Sequence, residues 1–139
     1  MADLVLTVAN VVPGATSTKS TGTANDTITQ GQSVNKDPTD GKIYRSDNNS
    51  ATAARRRVDG ISLNAALAGQ PVDFLTGGDI VIGATVAVGT IYCLSGTAGG
   101  ICPAADLVSG METTVIGVAT SATNLNVLNP IYNSGVLIP

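Results

Sequence analysis

The chain has 139 residues, a net charge of −3, 12% charged residues, 3% aromatics, no tryptophan and no histidine. The length suits one domain. The missing histidines remove the commonest general base and metal ligand, and the acidic balance argues against nucleic-acid binding, which needs a basic footprint.

No apolar run approaches the roughly 18 residues of a membrane-spanning helix. Met1-Ala2-Asp3-Leu4 lacks the basic start of a signal peptide, so assembly in the cytosol with reduced cysteines is expected. With only Phe74, Tyr44, Tyr92 and Tyr132 as aromatics, the core has to be built from Val, Ile, Leu and Ala. Small aliphatic cores often gain burial by oligomerising. Low charge with abundant Gly, Thr, Ser and Asn suits a protein whose surface faces other subunits, or a lone β-sandwich with a polar, uncharged skin.

In chain order, residues 1–14 read as an N-terminal arm or first strand, with Leu4, Leu6 and Val8 alternating before Pro13-Gly14 stops it. The Thr/Ser-rich residues 15–23 are either an edge strand or a segment that orders against a partner. Pro38-Thr39-Asp40-Gly41 is a turn leading to a strand at 42–45. Asn49-Ser50 precede an Ala/Arg stretch that suits a short helix over 51–56. A strand over 58–63 and another over 72–75 follow. Thr76-Gly77-Gly78-Asp79 reads as a turn, then Ile80-Val81-Ile82 as a buried run. Residues 91–94 and 101–102 flank a Gly-rich hairpin tip. Residues 103–108 suit one helical turn, with Gly110 past its end. The last strands fall at 113–119, 125–128 and 136–138, separated by Asn129-Pro130 and Asn133-Ser134-Gly135.

A spaced pattern occurs twice in this series. Gly31, Gly41 and Gly60 are followed by Gly89, Gly100 and Gly117, with similar apolar neighbours at nearly constant offset. One β-unit used twice explains this. The expected architecture is therefore an all-β, barrel-like sandwich with one or two short helices and an extended N-terminal arm. Residues 15–139 form its single β-rich domain, with internal pseudo-repeat halves at about 28–75 and 86–128.

Little in the chain carries chemistry. Glu112 is the sole glutamate, and the aspartates fall mostly at turns, where they bond local backbone. Gly96-Thr97-Ala98-Gly99-Gly100 lacks the Lys-Ser/Thr of a phosphate loop. Arg55-Arg56-Arg57 is the one charge cluster. It is either an anchor on an acidic partner, through bidentate pairing, or a solvated helix end. Cys93 and Cys102 lie equidistant from the Thr97/Ala98 turn centre. Opposed across a hairpin they could form a strained disulfide, but two reduced, semi-buried thiols are the favoured state. No catalytic residue, metal site or cofactor is expected.

Residues 58–72, Val58-Asp59-Gly60-Ile61-Ser62-Leu63-Asn64-Ala65-Ala66-Leu67-Ala68-Gly69-Gln70-Pro71-Val72, resemble a stretch of small tailed-phage capsid decoration (cement) proteins. Asp40-Gly41-Lys42-Ile43-Tyr44-Arg45-Ser46-Asp47 and Ile116-Gly117-Val118-Ala119-Thr120-Ser121-Ala122 resemble the same family. The resemblance implies a β-tulip domain that assembles as a homotrimer on the outer surface of an expanded head, bridging major capsid protein subunits. It implies no catalytic residues. It points, through the family's use of extended termini, to Leu4, Leu6, Val8, Asn10 and Val12 as candidate capsid contacts. On that reading the arm, residues 2–13, is removable without loss of the folded trimer. The competing classes are a virion fibre or receptor-binding module and a tail structural subunit.

Overall fold

Ten strands form one curled antiparallel sheet, a half-barrel, in the computed structural model, which describes residues 3–139. Met1 and Ala2, the start of the expected arm, lie outside the described residues. The strands are β1 (Val11–Pro13), β2 (Thr18–Thr23), β3 (Ser33–Lys36), β4 (Ile43–Arg45), β5 (Gly60–Ser62), β6 (Pro71–Ile82), β7 (Ile91–Leu94), β8 (Ile101–Pro103), β9 (Glu112–Ala119) and β10 (Asn124–Leu137). Strand makes up 46% of the chain against 7% helix, and the helical residues form single 3-10 turns, so the class is all-β.

The sheet order is β4-β3-β5-β6-β10-β9-β7-β8. Its second half mirrors its first. Each half runs a hairpin (β3–β4, β7–β8), a 3-10 turn (Ala53–Arg56, Ala104–Asp106), a return strand (β5, β9) and a long strand (β6, β10). The two long strands pair with each other at the centre, Leu125 opposite Ile80. Equivalent glycines occupy equivalent register positions. Gly60 of β5 pairs with Val34, and Gly117 of β9 pairs with Tyr92. The spacing alone matched Gly41 to Gly100. The backbone matches it to Gly99 instead, since both have positive φ (71° and 78°) just before the second hairpin strand.

Three expected breaks are absent. Gly77-Gly78 lies inside β6 rather than in a turn. Gly78 has φ 93°, and a Cβ there would sit 2.7 Å from the Ser17 Cα. The glycine lets β6 bulge past that backbone and change neighbours without stopping. Its first half is flanked by β2 and β5, and its second half by β1 and β10. Likewise Asn129-Pro130 and Asn133-Ser134-Gly135 are absorbed as irregularities in the 14-residue β10, which stays paired with β9 on either side of them.

The expected helix at 51–56 shrinks to the 3-10 turn Ala53–Arg56, preceded by Thr52 with no side-chain cap. Asn49 and Ser50 serve local turns instead: the Asn49 N–H donates to Asp47 (3.1 Å), and Ser50 Oγ accepts from the Thr52 N–H (3.2 Å).

Two apolar clusters pack against opposite faces of the sheet, since Leu75 belongs to one and its neighbour in β6, Phe74, to the other. The larger includes Ile61, Leu75, Ile80, Ile82, Leu94, Ile116 and Leu125, all fully buried. The smaller gathers Ile28, Val34, Ile43, Val72 and Phe74. A buried aliphatic side chain of this size contributes about 1.5–3 kcal/mol, so branched residues in numbers replace the missing aromatics.

Candidate partner-binding site

Residues 3–13 form a strap lying on the body, not an arm reaching away from it. The Leu4 N–H donates to the Ile101 carbonyl (2.8 Å), at the outer edge of β8, and the Thr7 N–H donates to the Gly83 carbonyl (2.7 Å). The seat at Gly83 is tight: a Cβ there would approach the Thr7 carbonyl oxygen to 2.6 Å. Ser95 Oγ donates to the Asp3 carboxylate (2.7 Å). A 3-10 turn, Val8–Asn10, then hands the chain to β1, which pairs with the end of β6.

This path sorts the five predicted contact residues. Leu4 and Leu6 are packed against the larger core cluster and are not free to meet a partner. Val8, Asn10 and Val12 face outward, joined by Val5, which the alternation had not singled out. Val5 is 87% exposed and Val12 50%. The 3-10 turn breaks the two-residue period between Leu6 and Val11, so the buried parity moves from even to odd positions. Val5, Asn10 and Val12 border a shallow hollow with Val81, Ala84 and Thr85, whereas Val8 lines a separate one beside Leu4 and Leu6.

Arg55 and Arg56 bond within the molecule, which neither reading of the sequence has, whereas Arg57 stands exposed at the end of the 3-10 turn. Arg55 donates to Asp37 (2.6 Å) and Asn35 (2.8 Å), and its guanidinium lies 3.4 Å from the centre of the Tyr44 ring. Arg56 donates to Glu112 (3.2 Å) and the Ser50 carbonyl (2.9 Å). Arg57 pairs with Asp59 (3.1 Å) and is the most exposed of the three. Two of the three predicted anchors are thus spent inside the molecule. Arg56 crosses from the first half to β9 of the second. There Thr114 Oγ1 also donates to the Arg56 carbonyl (2.9 Å). The buried acceptors Asn35 and Glu112, and Ser46, whose hydroxyl donates to the Arg57 carbonyl (2.7 Å), escaped the sequence reading, because nothing local marks a polar residue as an internal partner. Only the isolation of Glu112 as the one glutamate gave a hint.

Electrostatics follow the contacts. The Arg55 guanidinium, helped by the backbone N–H groups of Thr39 and Asp40, holds the Asp37 carboxyl below the usual carboxylate range. The Tyr44 hydroxyl donates to Asp40 (2.5 Å), which lowers the Asp40 carboxyl and raises the Tyr44 phenol.

Cys93 and Cys102 are direct partners across β7 and β8, as the spacing predicts, and both are free and buried. Burial pushes their thiols up to about 11 and about 12. At neutral pH they are un-ionised and poor nucleophiles.

Among the described residues no three His, Cys, Asp or Glu side chains gather as a metal site, and no helix is long and apolar enough to cross a membrane. No protein-family model matches the chain, and no curated protein matches it.

Proposed function

We propose that this chain is a non-enzymatic virion structural protein that decorates and stabilises the outer surface of an expanded phage capsid. On this reading it is made in the host cytoplasm, assembles as a homotrimer and bridges major capsid protein subunits. The observation that carries the reading is the strap: Val5, Val8 and Val12 held outward on a body whose arginines are largely committed to internal bonds. The family resemblance of residues 58–72 supports it, as does the small-residue, charge-poor surface. Bridging needs rigidity and many modest contacts rather than reactive groups, and a trimer docks three straps at once, which multiplies weak affinity.

Co-sedimentation with mature heads stripped of the protein tests this. Saturable binding, at a stoichiometry matching the threefold positions of the shell, is the expected result. The double substitution Val5→Asp and Val12→Asp should weaken binding at least tenfold while circular dichroism stays unchanged. A folded protein that does not bind heads overturns the reading and favours a tail or fibre component.

A further inference from the structure

We propose that Cys93 and Cys102 are an oxidative modification site: a small disulfide oxidant converts the two thiols into a bond that ties β8 to β7 at the end of the sheet.

The two residues are the middle pair of the three that join β7 and β8. The Ser95 N–H donates to the Gly100 carbonyl (3.2 Å), and the Ile101 carbonyl points away from β7, to the Leu4 N–H (2.8 Å). By the alternation of an antiparallel ladder, Cys93 and Cys102 are then a hydrogen-bonded pair, with Cα atoms about 5.5 Å apart. That separation falls inside the range of about 4.4–6.8 Å that a disulfide spans. The Cys102 Sγ already reaches towards β7, donating to the Leu94 carbonyl oxygen (3.8 Å). Opposed Cβ atoms stand about 4.5–5.5 Å apart, whereas a disulfide holds them at about 3.5–4.5 Å. Closing the bond therefore draws the hairpin in, and a bond under such strain is readily reduced again.

The internal repeat gives the bond its purpose. Asn35 and Tyr44 are the middle pair of β3 and β4, the position that Cys93 and Cys102 hold in β7 and β8. In the first half Arg55 clamps that pair, bonding Asn35 (2.8 Å) and lying 3.4 Å from the centre of the Tyr44 ring. The corresponding turn, Ala104–Asp106, has no arginine, and no Lys or Arg follows Arg57 anywhere in the chain. The cysteine pair thus lacks the clamp of its counterpart. β8 is the element that gains from one, since it is three residues long, ends the sheet order and carries the strap through Ile101.

Cys102 is the point of entry, because it borders a hollow with Asp3, Ser95 and Thr97. With oxidised glutathione, the deprotonated Cys102 sulfur attacks one sulfur of the oxidant and expels a glutathione thiolate. The deprotonated Cys93 sulfur then attacks the Cys102 sulfur of the mixed disulfide and expels the second thiolate. The protein gives up two protons and two electrons, and the oxidant leaves as two molecules of glutathione. Burial keeps both thiols un-ionised at neutral pH, so the exchange is slow. A reducing cytosol leaves the pair open.

The folded full chain, incubated with excess oxidised glutathione at mildly alkaline pH, tests this. Its intact mass should fall by two hydrogens, and peptide mapping should join Cys93 to Cys102. Both thiols should then escape alkylation after unfolding, and dithiothreitol should restore them. Amide exchange at Ser95 and Cys102 should slow by about tenfold in the oxidised chain, because local opening of the hairpin is suppressed. Cys93→Ser should stop at a glutathione adduct on Cys102. Should that variant fail to fold, the measurements on the native chain decide alone.

Thiols that stay open to alkylation after prolonged incubation overturn the proposal. So does closure that appears only in urea-unfolded protein, a lasting glutathione adduct on the native chain, or a disulfide-linked dimer on a non-reducing gel. Unchanged amide exchange in the oxidised chain removes the clamp. None of these outcomes involves a capsid, so the decoration reading stands or falls separately.

Discussion

Asp37 shows how much a single side chain organises here. One carboxylate oxygen takes the Arg55 guanidinium, and the other takes the N–H groups of Thr39 (2.7 Å) and Asp40 (3.2 Å). The residue therefore shapes the β3–β4 turn and holds the arginine loop at once. Its carboxyl titrates below its ordinary value, chiefly because of Arg55. A group whose folded pKa is depressed contributes stability that is complete above its unfolded value, near 3.9, and is lost as pH falls through the folded one. Asp40 acts in the same direction. Tyr44 acts in the opposite one: its raised phenol contributes below about pH 10 and loses its contribution as pH rises further. Urea midpoints measured from pH 2 to 11 should be flat through the neutral range and fall at both ends. In Asp37→Asn the neutral midpoint should drop and the acid limb flatten. An acid limb of unchanged steepness in that variant would remove Asp37 from the account.

At the scale of elements, the strap is part of the fold. Truncating residues 1–13 removes β1 with its three pairs to β6, the buried Val11, and the core contacts of Leu4 and Leu6. Losses of this kind cost about 2–5 kcal/mol, whereas an exposed substitution such as Val12→Asp stays within about 0.5 kcal/mol. Chemical denaturation of both proteins checks the difference. A truncated protein as stable as the whole would restore the strap to the removable arm that the family resemblance implies. The same comparison explains what the chain did and did not reveal. Strand positions and the twofold repeat were legible because alternation and turn glycines are local signals. The continuity of β6 and β10 was not, because Gly77-Gly78 and Asn129-Pro130 look like turns in any short window. Neighbours distant in sequence decide whether the strand goes on: β2 and the Ser17 backbone for β6, and β9 for β10. The candidate site was half legible. The valines of the strap were nearly all in view, but the 3-10 turn that turns Leu6 inward and Val12 outward has no marker in Thr7-Val8-Ala9-Asn10.

Across the whole molecule, the mirrored halves raise the question of whether they fold separately. Several ties oppose that. β6 pairs directly with β10, Arg56 bonds Glu112, Thr114 bonds the Arg56 carbonyl, and Asn133 Oδ1 accepts from the Val58 N–H (2.8 Å). The larger core cluster likewise draws on both halves, with Ile61 and Leu75 from one and Leu94, Ile116 and Leu125 from the other. Neither half can lose its structure without exposing the other's buried face, so unfolding should be one transition. Backbone and tyrosine signals should then coincide in denaturant. Arg56→Ala is the sharper probe, because it strands a carboxylate whose side chain is 5% exposed. Removing one partner of a buried ion pair costs about 3–5 kcal/mol, a large share of the roughly 5–15 kcal/mol that holds a domain together. The midpoint should fall steeply while the transition stays single, since β6, β10 and the shared core still join the halves. Two separated transitions in the variant would make the arginine loop the principal tie between them, and the sheet contact at β6 and β10 the weaker one.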